Sequence, residues 1–568
     1  MNKLINIFGN FIKVDGWIFF ILLILNITPV IQTFVLFGKD DFEEFFYSNM
    51  IAFYFGAVGI LTFCLIIHFV LAKFPRTKIF LQILILIGFA ISFVVDAFLI
   101  YTFGVILHGH LIEIVLGTNP VTVKEFFQAY ILTPKIICAI IMAFFLIGTS
   151  IKKFRSILKN LSENNLRRIS FSLMIMFLPV ILFAVNGIVF YFLMIIQYDT
   201  IFGRNVHSIY TAIKISNNED EIFAEMDAQD EKIISNNSKI PYVIFVLGES
   251  ETRNHMQIYG YNLKNTPLAV KRYERGELFK FNDVIACAND TSAAMKLIFT
   301  FAEKKDSDEL WYTNSNIFDI VRSAGYHTAW ISNQSPIGWL GNLDKIYAER
   351  CDEKYFTEKS SKKNTTLLSR DFDGVLLPIL DNFISQAQNK NFYVLHLYGS
   401  HVVYNERYPA EFSKFTAADE DKPTETAKQA AAEYDNAILY TDFILDEIFK
   451  RFEDKNALII YISDHGEEVY ENGRNFAGHS VEEIGNLSMI ETPMLVWTSK
   501  SFREMYPEKI TALKNSADNP YRTDFLIHTI LDLMDIQTEN FDATKSIVNE
   551  KFDKFRIRIY NGKTYTKN

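Results

Sequence analysis

The side chains able to do chemistry in this chain fall in four short segments. Glu249 stands in GESETRNHMQIYGY, Asp464 and His465 in YISDHGEE, His396 and His401 in LHLYGSH, and His479 in FAGHS. Carboxylate and imidazole are the groups with which proteins hold zinc or manganese. Taken singly, each has an ordinary reading. A Glu after a strand is a helix-start charge, an Asp-His pair is common, and His396 inside an apolar run is a core histidine. What gathers them is their place relative to the strands.

Short apolar runs recur at 242–247, 327–331, 392–397, 457–462 and 494–497, with helix-like stretches such as 317–324 and 433–452 between them. Buried strands alternating with helices predict an α/β domain on a largely parallel sheet. Ligands of such sheets gather at the carboxyl ends of the strands. Glu249 directly follows the first run, Asp464 and His465 follow the fourth, and His396 and His401 lie at and after the end of the third.

This domain occupies 241–568, and what precedes it differs in kind. The whole chain of 568 residues is 49% apolar, but the apolar excess lies before Tyr198. Five runs there are long enough for the roughly 20 residues a bilayer core requires: 16–37, 49–72, 79–101, 127–149 and 169–196. The first lacks a small-residue cleavage site and is followed by further spans, which excludes a cleaved signal peptide. Lys73, Arg76 and Lys78 follow the second run, and Lys152, Lys153, Arg155, Lys159, Arg167 and Arg168 follow the fourth; Asp40, Asp41, Glu43 and Glu44 follow the first. The positive-inside rule then puts the N-terminus in the cytoplasm and everything after Ile196 outside, the periplasm in a bacterium with two membranes. Residues 1–197 thus read as a transmembrane domain, and 198–240 as a periplasmic bridging helix or linker. The apolar loop 102–126 is expected along the membrane surface. Asp96, inside the third run, faces either the bundle interior or the interface. The net charge of −10 argues against nucleic acid as a partner. Of four cysteines, Cys64 and Cys138 read as buried small hydrophobes, and an exported domain allows one disulfide between Cys287 and Cys351, a pairing the sequence leaves open.

The motifs GESETRNHMQIYGYNLKNTP, LHLYGSHVVYNERYP, YDNAILYTD and YISDHGEEVY resemble the membrane-anchored phosphoethanolamine transferases of the alkaline phosphatase/sulfatase superfamily, and so does the order of five spans followed by a periplasmic domain. The resemblance covers nearly the whole chain. It implies a zinc ion held by Glu249, Thr291, Asp464 and His465, with Thr291 as nucleophile in VIACANDTSAAMKLIFTFAE. Thr300, the competing hydroxyl, reads as part of the helix that follows. His401 and His479 match histidines that contact the transferred phosphate or a second metal, and His396 is a structural neighbour. Arg253 either grips a carboxylate or phosphate or caps local structure. The implied reaction moves phosphoethanolamine from phosphatidylethanolamine, through a covalent Thr291 intermediate, to an envelope acceptor such as lipid A or the lipopolysaccharide core. Thr118 and Asn119 fit the family's headgroup segment, but Ile114 and Thr122 replace its Asn and Glu, so Glu113 or Glu125 would have to substitute.

Against a sulfatase activity stands Cys287, which Ala288, Asn289 and Asp290 follow in place of the C/S-x-P-x-R context. A metal-dependent phosphoglycerol transferase of envelope polymer synthesis and a non-catalytic envelope receptor remain as alternatives.

Overall fold

The computed structural model describes residues 2–35, 42–103, 105–109, 111–112, 115, 131, 134–176, 199–216, 219–304, 310–334, 343–357, 372–471, 476–479, 487–560 and 563–567. Two compact units are present, 1–115 with 127–215, and 116–126 with 216–568.

In the first unit, four stretches among the described residues are long and apolar enough to cross a membrane: Gly16–Val35, Phe46–Val70, Pro75–Phe103 and Ile136–Lys159. Residues 177–196 of the expected fifth span lie outside the described residues, as do Thr118, Asn119, Glu125 and most of the loop 102–126. The first stretch is two helices, α1 (Gly16–Leu25) and α2 (Thr28–Val35). At the break Asn26 Oδ1 accepts from Ile201 N at 2.6 Å. Asp96 is fully buried in α3 (Pro75–Phe103) and turns into the bundle. It accepts from Thr28 Oγ1 at 2.8 Å and Leu107 N at 3.1 Å, and is paired with Arg204. A carboxylate at membrane depth is held only where donors replace water. Asp15, just before the first stretch, is likewise buried and accepts from Lys78 Nζ at 2.8 Å and Gln82 Nε2 at 2.9 Å, with His68 alongside.

The second unit is built on a seven-stranded mixed sheet. Its strands are β1 (Tyr242–Gly248), β2 (Leu278–Lys280), β3 (His327–Ser332), β4 (Glu353–Phe356), β5 (Asn391–His396), β6 (Ala457–Ser463) and β7 (Met494–Thr498). The spatial order is β2-β7-β6-β1-β5-β3-β4. The five strands from β6 to β4 are parallel, while β7 runs antiparallel to both β6 and β2. Each face is covered. Phe245, Leu247, Ile460 and Val496 join one core; Ile244, Val246, Ile459 and Leu495 join the other. Burial on both faces is why these strands read as unbroken apolar runs, and why their direction is not written in the pattern.

The long helix α4 (Glu425–Lys450) covers the second face, starting where the Thr424 side chain accepts from Ala427 N. Such a cap contributes about 1 kcal/mol. Cys287 and Cys351 are both free thiols. Cys287 Sγ donates to Ala294 O at 3.8 Å and Cys351 Sγ to Tyr347 O at 3.5 Å, so each is engaged within its own segment and the possible disulfide is not formed.

Candidate active site

Strand register creates the site. Leu247 lies opposite His396 and Ile462, and Gly248 opposite Ser463. The next residue of each central strand is therefore a carboxylate, Glu249 after β1 and Asp464 after β6, side by side at the carboxyl edge. Ser250 adopts a left-handed φ of 58°, which turns the chain so that Ser250 N donates to Asp464 Oδ1 at 3.2 Å and Ser250 Oγ to Glu249 Oε1 at 2.8 Å. Two glycines make room. A Cβ on Gly399, whose φ is +53°, would lie 2.6 Å from Glu249 O, and one on Gly466 would lie 2.0 Å from Ser488 O.

Thr291 is the first residue of a short helix, Thr291–Ile298, whose N-cap Asp290 accepts from Ala293 N. Thr291 Oγ1 donates to Glu249 Oε2 at 3.0 Å and lies 3.4 Å from His465 Nε2. The hydroxyl sits at a helix N-terminus, where backbone dipoles favour negative charge. Thr300 lies beyond that helix, buried, with its hydroxyl donating to Lys296 O at 2.7 Å.

Glu249, Asp464 and His465 are buried, with one potential ligand atom from each within 4.8 Å of the others. His465 Nδ1 lies 2.8 Å from Gly466 O. A carbonyl can only accept, so Nδ1 carries hydrogen and, in the neutral ring, Nε2 presents its lone pair to the carboxylates. Nε2 is 3.3 Å from Glu249 Oε1 and 3.4 Å from Asp464 Oδ2. Asp464 Oδ2 is buried with no hydrogen-bond partner. Burial and then the charge of Glu249 push the Asp464 carboxyl up to about 6. Burial alone would lower the His465 imidazole, but Asp464 and Glu249 outweigh it and raise it to about 10. Burial likewise works against the Glu249 carboxylate, yet the histidines, His465 foremost, hold it below the ordinary range. Two buried carboxylates thus share one imidazolium and retain excess negative charge. A divalent cation fits this set: two carboxylate oxygens, one of them an orphaned acceptor, one imidazole nitrogen and a hydroxyl at the edge.

A second group adjoins the first. His479 Nδ1 is 2.8 Å from Glu467 Oε2, and Tyr404 OH donates to Glu467 Oε1 at 2.7 Å. His465, Glu467 and His479 also bring ligand atoms within 4.8 Å of one another. The His479 ring lies 4.1 Å from that of His465 and 6.0 Å from that of His401. Sequence reasoning passed over Glu467. Its only signal is the first glutamate of DHGEE, which reads as a solvated charge but is fully buried.

Arg253 and His396 are engaged outside these two groups, as is the buried His255. Arg253 grips a carboxylate, donating to Glu491 Oε1 at 3.0 Å and Tyr565 OH at 3.1 Å. His396 Nδ1 is 2.6 Å from Asp344 Oδ1, which also accepts from Trp330 Nε1 at 3.1 Å. His255 lies between Asp435 and Glu471, at 3.2 and 2.9 Å.

The profile of the Sulfatase family matches residues 241–536. Phosphoethanolamine transferase EptC of Escherichia coli K12 is 29% identical over 332 residues, 57% of this chain and 56% of that protein. Phosphoethanolamine transferase EptA of the same strain is 26% identical over 57% of this chain and 58% of that protein. These matches span little more than half the length of the curated relatives. Among solved structures, the C-terminal periplasmic domain of E. coli EptC in complex with Zn is 28% identical, with a TM-score of 0.52, covering 57% of this chain and 90% of that one. The fold of integral membrane lipooligosaccharide phosphoethanolamine transferase A from Neisseria meningitidis, 23% identical, matches with a TM-score of 0.61 over 93% of this chain and 97% of that one. With the strand-end carboxylates, the helix-borne threonine and the profile match all falling in one domain, the chain belongs to the sulfatase family.

Proposed function

We propose that this chain is a zinc-dependent phosphoethanolamine transferase of the bacterial inner membrane, with residues 1–197 forming five spans, 198–240 bridging, and 241–568 catalytic in the periplasm. The observation that carries the reading is the Thr291 hydroxyl, 3.0 Å from Glu249 and 3.4 Å from His465 at a helix N-terminus. The names of the similar proteins support the transferred group, and the Zn complex of EptC supports the metal. Glu249, Thr291, Asp464 and His465 would hold the zinc, and bound there it would stabilise negative charge on the threonine and phosphoryl oxygens.

Thr291 Oγ attacks the phosphorus of phosphatidylethanolamine. An O–P bond forms at Thr291 as the bond to diacylglycerol breaks, the Thr291 proton having been released to solvent at the helix N-terminus, where negative charge on the oxygen is favoured. The diacylglycerol oxygen takes a proton as it leaves, and His479, oriented by Glu467, supplies it. An acceptor hydroxyl or phosphate, on lipid A or the lipopolysaccharide core, then attacks the same phosphorus. Thr291 Oγ departs and regains its proton from solvent, and a hydroxyl acceptor's proton goes to His479. Dividing the transfer into two displacements replaces one difficult step by two easier ones. His401, its ring 6.0 Å from that of His479, is a second imidazole placed to contact the phosphoryl oxygens.

The test is diacylglycerol release from phosphatidylethanolamine by the full chain in liposomes. Thr291→Ala is expected to abolish release. Release at the native rate from that variant would refute the assignment.

A further inference from the structure

Residues 555–560 carry an apolar pattern turned inside out. Phe555, Ile557 and Ile559 are 93%, 66% and 47% exposed, while Arg558, between the two isoleucines, and Tyr560, after them, are buried. The register is fixed from within. Arg558 Nη1 and Nη2 each donate to the Asp283 carboxylate at 2.8 Å, and Arg556 Nη2 donates to Thr544 Oγ1 at 2.9 Å. A slip of one residue would hide the apolar row but strip Asp283 of its partner. Ile559–Tyr560 then pairs antiparallel with Lys563–Thr564.

Charge around this row is basic. Lys551, Lys554 and Lys567 are exposed, as is Lys304, whose ammonium lies 5.4 Å from the Tyr560 ring. Between 550 and 568 there are six Lys and Arg against two acidic residues, in a chain of net charge −10. The inner side of the hairpin is tied to the site. Tyr560 and Tyr565 pack on Ile285, Ala286 and Ile490, at the start of the segment that runs on to Thr291.

We infer that this face enters the headgroup layer of an anionic lipid surface, with Phe555, Ile557 and Ile559 inserted and the lysines on lipid phosphates. An apolar row rimmed by cations is the pattern of interfacial anchors. A second copy of the chain would bring the same positive charge and be repelled. A lipid surface is always at hand, because the described residues of the same chain include four stretches able to cross a membrane, which raises its effective concentration. Docking would also bring the segment leading to Thr291 to the lipid surface.

The inference is tested on the full chain in nanodiscs of phosphatidylcholine and phosphatidylglycerol, with Phe555→Trp and acyl-brominated lipid as quencher. Fluorescence of the unsubstituted chain, with its five tryptophans, is subtracted. The added indole is expected to be quenched by brominated lipid and shielded from aqueous acrylamide. Lys551→Gln and Lys554→Gln should each lower the docked-to-undocked ratio about fivefold when phosphatidylglycerol is present, and leave it unchanged in neutral discs. An indole emitting as in water and open to acrylamide would overturn the inference. So would one shielded from both quenchers, which would give the face to a protein partner.

Discussion

Replacing Asp464 by Asn should move stability in opposite directions with and without metal. In the metal-free protein Asp464 is fully buried, its Oδ2 has no hydrogen-bond partner, and its carboxyl is pushed up to about 6 from 3.8 by burial and Glu249. An acid raised on folding contributes stability below its unfolded value and loses it as pH rises through the folded one. At pH 7 the ionised group therefore costs about 3 kcal/mol. Asn keeps the shape and can still accept from Ser250 N and His465 N, the two donors to Oδ1. The metal-stripped variant should accordingly be more stable than the metal-stripped native chain by up to about 3 kcal/mol at pH 7. The gap should close between pH 6 and pH 4. Zinc should reverse the order. The native chain gains about 2.7 kcal/mol at 100 times its dissociation constant, while the variant, lacking one of three buried ligands, gains little. Thermal unfolding in detergent, with and without added zinc at pH 4.5 and pH 7.5, reads all four states. A metal-stripped variant less stable than native at pH 7.5, or one that zinc protects as fully, would refute the reasoning.

Gly399→Ala puts a Cβ 2.6 Å from Glu249 O at φ +53°, so it should cost about 1–3 kcal/mol in denaturant unfolding and lower transfer by displacing Glu249. Glu467→Gln should disturb the His479 ring, lowering the transfer rate roughly 10–100-fold while the zinc content measured by mass spectrometry stays near one per chain. His255 is raised to about 9: burial opposes this, but Asp435 and Glu471 prevail. A raised base stabilises fully below its unfolded 6.5 and stops doing so as pH passes about 9. Denaturation midpoints of the native chain should therefore fall between pH 6.5 and 9.5 more than those of His255→Gln.

Much of the frame was legible because central strands buried on both faces leave unbroken apolar runs. The runs at 242–247, 327–331, 392–397, 457–462 and 494–497 each became a strand with ends within one residue. Strand ends then pointed to Glu249 and Asp464. Strand direction was not legible, since β7 is as apolar as its parallel neighbours yet runs the other way. Partnerships across long sequence separations were equally hidden. Asp344 meets His396 across 52 positions and Glu491 meets Arg253 across 238. Glu467 was missed because nothing local separates a buried carboxylate beside His479 from a solvated one. Asp96 was readable as an anomaly, but Thr28 and Arg204 became its partners only through packing.

The central claim is that Thr291 takes the transferred group. It is tested most directly by mass spectrometry of peptides from the full chain after exposure to phosphatidylethanolamine, beside Thr291→Ala. The account predicts a phosphoethanolamine adduct on Thr291 that is absent from the variant. An adduct on another residue, a phosphoglycerol adduct formed only from phosphatidylglycerol, or no adduct while transfer proceeds, would contradict it.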